Sequence, residues 1–81
     1  MYRKIKLDIA DITDRNDMDE KARLNNLLRE HNVIVMLLHS NASEPGKFEI
    51  MLAGSATQEQ ADSATAALHD AFTVNSIEWT K

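Results

Sequence analysis

Three histidines, His31, His39 and His69, are the side chains best suited to proton transfer or metal ligation near neutral pH in this sequence. Either chemistry needs at least two such groups converging on one surface, and no two of these histidines stand four residues apart on a helix face. They fall in separate elements. His31 sits where a helix should end, so a cationic ring there suits the negative end of the helix dipole. His39 sits where a strand should end, and tertiary geometry alone could set it against a carboxylate. The chain has no cysteine, which excludes disulfides, thiolate metal sites, iron–sulfur clusters and a cysteine nucleophile together.

Asp11, Asp14, Asn16, Asp17 and Asp19 supply oxygen ligands at close spacing, the raw material of a calcium loop. The central glycine and the terminal glutamate of that loop are missing. The same residues fit the start of a helix, where carboxylates meet unpaired N–H groups. Ser40, Ser43 and Ser55 fall in expected loops, and none lies in the Gly-x-Ser-x-Gly elbow that activates a nucleophile. With only 2 glycines in the chain, no glycine-rich phosphate loop is available either. No catalytic residue, cofactor site or metal ligand is therefore expected.

The elements that would position these groups follow from periodicity. Ile5, Leu7 and Ile9 alternate with Lys4, Lys6 and Asp8, the period of two of a half-buried strand. Asp17 with Glu20 three residues on resembles a capping box. Leu24, Leu27, Leu28 and His31 then recur at helical spacing. Asn32 suits a left-handed C-cap, and the β-branched Val33, Ile34 and Val35 begin a second strand. Asn41 to Gly46 gathers Asn, Ser, Pro and Gly and reads as a hairpin loop. Phe48, Ile50 and Leu52 alternate with Lys47, Glu49 and Met51 in a third strand that Gly54 should end. Thr57 and Gln60 form a second capping box. The following helix runs to about Phe72, with Ala61, Ala64, Leu68, Ala71 and Phe72 as its buried stripe. Val74 to Trp79 makes the last strand.

Strand, helix, strand, strand, helix, strand in 81 residues is one domain of the α+β class. It predicts a ferredoxin-like βαββαβ fold, a four-stranded antiparallel sheet in the order four, one, three, two with both helices on one face. The other face is left open. Hydrophobic residues at 43% and charged residues at 27% are ordinary for such a domain. Met1 to Ala10 alternates charged and aliphatic residues and does not read as a signal peptide. Val33 to Leu38 is the longest apolar run and too short to cross a bilayer. A cytoplasmic location is expected.

Val33 to Leu38 is also apolar on both sides of a strand placed at a sheet edge, although edges are normally defended by charge or proline. Such an edge predicts cover by a protein partner or a second copy in a homodimer. If Val33, Val35 and Leu37 face the helices, then Ile34, Met36 and Leu38 point outward beside Met51 and form the partner-binding surface. The leading expectation is a non-enzymatic protein–protein interaction module, of the kind that serves as a small inhibitor or adaptor of phages and mobile elements. A second reading is a dimeric ferredoxin-like enzyme or ligand-binding domain, with His39, Glu49 and Trp79 walling a pocket between open faces. A third is RNA binding. Gly46-Lys47-Phe48-Glu49-Ile50-Met51 resembles the strand-three motif of RNA-recognition domains, which implies base stacking on the sheet and phosphate contacts from Arg3, Lys4 and Lys6. Phe48 is the single aromatic in that motif, Glu49 opposes phosphate, and the net charge of −4 weakens nucleic-acid attraction. Membrane association and metal binding are not expected.

Overall fold

A computed structural model describes all residues, 1–81. Along the chain lie β1 (Tyr2–Ile9), α1 (Met18–Glu30), β2 (Val35–Asn41), β3 (Glu44–Ala56), α2 (Gln58–Ala71) and β4 (Val74–Thr80). The strands form one antiparallel sheet in the order β2-β3-β1-β4. This is the expected ferredoxin-like arrangement, with β2 and β4 as its two edges.

The helices start and stop where side-chain chemistry dictates. The Asp17 carboxylate accepts from the Glu20 N–H at 3.1 Å and caps α1. Glu20 pairs with Arg23 at 3.0 Å and does not reach back to close the box. At the other end Asn32 adopts φ +62°, and the N–H groups of Asn32 and Val33 return to the carbonyls of Arg29 (3.0 Å) and Leu28 (2.9 Å). That is a Schellman closure, and its usual apolar contact joins Leu28 to Val33, both fully buried. Thr57 and Gln60 bond each other's backbone N–H at 3.1 and 2.9 Å, completing the capping box of α2. Arg23 ties the helices together, donating to the Ala71 carbonyl at 2.6 Å and lying 4.4 Å above the Phe72 ring.

The core is built from one side of each strand. Ile5, Leu7 and Ile9 of β1 and Phe48, Ile50 and Leu52 of β3 meet Leu24, Leu28, Ala64 and Leu68 of the helices. The small residues Ala61 and Ala64 let α2 lie close to the sheet.

Three local expectations are corrected. The β2–β3 connection is only the two-residue turn Ala42–Ser43, closed by the Asn41 side chain accepting from the Glu44 N–H at 3.0 Å. Pro45 and Gly46 belong to β3, where Pro45 lies beyond the last β1 pair at Asp8–Lys47. Gly46 is needed because a Cβ there would run into the Ile9 carbonyl oxygen and stand 3.0 Å from that of Ile12. Gly54 does not end β3, which continues to Ala56 through an irregularity in its pairing with β1.

Candidate functional site

On the face away from the helices, cross-strand pairing lays the side chains out in rows, because directly paired residues point the same way. Leu37, Met51, Lys4 and Thr80 form the first row, running from β2 to β4. His39, Glu49, Lys6 and Glu78 form the second. Lys47, Asp8 and Ser76 form the third. Each lysine has a carboxylate or a polar neighbour, so most of the open face is a mixed-charge surface suited to water. A shallow depression of about 450 Å³ lies over the second and third rows, lined chiefly by Lys6, Asp8, His39, Glu44, Lys47 and Glu49. The Glu44 carboxylate, hydrogen-bonded to Lys47 at 3.1 Å, raises the lysine pKa above its ordinary 10.5, with Asp8 adding to the effect.

The exception to this polar face is the corner at β2. Met36, Leu37, Ile34 and Met51 are 63%, 50%, 49% and 38% exposed, and they adjoin one another on the edge strand and its neighbour. Of the expected partner-binding set, Ile34, Met36 and Met51 are therefore outward. Leu38 is not: it turns inward and packs against the core, and Leu37 takes the outward place. The cause is a bulge. Val35 pairs with Leu52 but Leu37 pairs with Met51, so β2 spends one extra residue at Met36 and its alternation shifts by one. Val33 and Val35 keep their inward positions upstream of the bulge, while downstream Leu38 and Ser40 face in and Leu37 and His39 face out.

The wall of a pocket between open faces is only half assembled. His39 does stand opposite Glu49 on the open face. Trp79 lies on the other side of the sheet, donating from Nε1 to the Thr65 hydroxyl of α2 at 2.8 Å, with the Tyr2 ring 6.0 Å away. Tyr2 in turn hydrogen-bonds Gln58 at the start of α2, and Phe48 and Phe72 are buried. None of the four aromatic rings is thus presented on the open face, and a base laid there would meet Lys4 and Lys6 interleaved with Glu49 and Glu78.

The remaining candidates have structural partners. His31 caps α1, and its Nδ1 lies 2.8 Å from the Ser63 hydroxyl of α2. Asp14 accepts from the Asn16 N–H at 2.9 Å, and Asp11 accepts from the Thr73 N–H. No three His, Asp or Glu side chains come together as a metal shell, and no helix is long and apolar enough to cross a membrane. Compared with family models, with curated proteins and with solved structures, the chain finds no match.

Proposed function

We propose that this chain is a non-enzymatic protein–protein interaction module of the cytoplasm, and that its contact surface is the apolar corner of Ile34, Met36, Leu37 and Met51. One observation carries the reading: an edge strand exposes large apolar side chains next to one another, without the lysine or inward charge that usually protects such an edge. The other exposed large hydrophobics, Met1 and Met18, precede β1 and begin α1. Contiguous apolar surface on a small domain is characteristic of contact sites. A rigid module of this size, with its helices capped at both ends, loses little conformational freedom on binding and suits the role of an inhibitor or adaptor.

The test is capture of a protein from a host lysate on immobilised chain, with wild type beside Met36→Asp and Leu37→Asp. Both substitutions put a charge on solvent-facing positions and should leave the circular dichroism spectrum and melting temperature nearly unchanged. The expected outcome is a captured protein that either substitution removes. Capture by wild type that persists undiminished in both variants, in a chain that is also monomeric, would sink the proposal.

A further inference from the structure

The apolar corner centres on β2, the one strand of the sheet that has both a free backbone edge and no charge. From His31 to Ser43 the chain carries no Lys, Arg, Asp or Glu, the longest such stretch in the sequence, and β2 lies wholly within it. A partner selected by charge would find nothing here to read. Downstream of the bulge at Met36 the edge offers unpaired N–H and C=O groups flanked by apolar side chains, and the occupant that matches them is another strand. We infer that this strand is β2 of a second copy, paired antiparallel about a twofold axis into a continuous eight-stranded sheet. The inference rests on the interaction-module reading and names its partner.

Charge and area both bear on that choice. In an antiparallel pair the start of β2 meets the end of its mate. The nearest charges in sequence are Arg29 and Glu30 at the end of α1 and Glu44 and Lys47 at the start of β3, the latter two paired with each other. Each side of the strand holds both signs, so twofold pairing sets no block of one sign against its like, even though two copies with net charge −4 repel at long range. Head-to-tail pairing of β2 with the β4 edge would set the apolar row beside Glu78 and leave a growing end; the twofold arrangement closes. An exposed apolar patch on the order of a few hundred Å² per copy gives less buried area than the roughly 1,200 Å² of a tight interface. The backbone ladder must supply the remainder, which sets the dimer in the micromolar range, about 1 to 100 μM.

Light scattering over a dilution series from about 1 μM to 1 mM is the first experiment, on wild type and Met36→Asp, bracketing that range. Wild type should pass from monomer to dimer, and the substitution should weaken the dimer at least about tenfold by placing an unpaired carboxylate in the apolar contact of each copy. Because the chain has no cysteine, single-cysteine variants locate the contact: under mild oxidation Leu37→Cys, one residue from the axis at Leu38, should link two copies. Lys4→Cys should not, since β1 lies two strands in from the β2 edge and its copies would stand roughly 20 Å or more apart. Met18→Cys on α1 gives the rate of chance collision. As a check independent of substitution, wild-type amides of residues 35–41 should exchange more slowly at high protein concentration.

A dimer that cross-links through Lys4→Cys as fast as through Leu37→Cys would mean stacked open faces and overturn the inference. So would a chain that stays monomeric throughout. If that monomer still captures a foreign protein that Met36→Asp releases, the second copy is wrong and the module reading stands. If capture is indifferent to Met36→Asp as well, both fall.

Discussion

The sheet ends on β4 at one side and on β2 at the other, and the two edges solve the same problem differently. Ile77 and Trp79 of β4 turn toward the helices, and Ser76, Glu78 and Thr80 turn to solvent, so each apolar residue has a buried place and each outward residue is polar. Trp79 is further held by its bond to Thr65 and by the Tyr2 ring. In β2, Val35 and Leu38 reach the core, yet Ile34, Met36 and Leu37 remain exposed. Both edges carry enough hydrophobicity to pack on the domain. They differ in whether any is left over once the inner face is filled, and only β2 has such a surplus.

The comparison breaks most severely one strand in from the β2 edge. Gly46→Ala forces a methyl group into the Ile9 carbonyl. It should cost about 3 kcal/mol or more, the scale of a core overpacking that backbone must absorb, and lower the urea midpoint more than any other substitution named here. On the other edge, Trp79→Ala should cost roughly 2 to 3 kcal/mol, because a partly buried indole and its hydrogen bond are lost together. A melting temperature that hardly moved would show that β4 is not anchored as described. Ser40→Ala works in the opposite direction. The Ser40 hydroxyl is buried without a partner, so its removal should stabilise the domain by up to about 1 kcal/mol, read as a higher urea midpoint at unchanged slope. The smallest effect belongs to Met36→Asp in dilute solution, below about 0.5 kcal/mol, since the side chain touches solvent. A large loss there would mean that the β2 surface supports the fold.

Much of the architecture was legible because the signals were local and agreed. Asp17, Asn32 and Thr57 mark helix ends through the reach of short polar side chains and one left-handed residue, and all three act as their types predict. The β2 facing was harder, since Val33 to Leu38 is apolar at every position and the polar His39-Ser40 pair that follows fixes no parity. An uninterrupted apolar run hides both the facing and the bulge that changes it. Leu37 was missed and Leu38 misplaced for this reason. Trp79 was placed on the wrong side although Ile77 shares its parity, a signal that was present. Pro45 and Gly46 read as loop by composition, because the close approach of the Ile9 and Ile12 carbonyls is a contact between segments far apart in the chain.

The two-residue turn at Ala42–Ser43 makes β2 and β3 the one pair of neighbouring strands joined by a short local connection. Every other pairing in the sheet waits for a distant segment to arrive, at a higher loop-closure cost. This pairing can therefore close ahead of the others, as a hairpin that is marginal by itself until β1 pairs with β3. The strand with the exposed apolar surplus thus belongs to the pairing with the shortest loop to close, ahead of the sheet that will flank it.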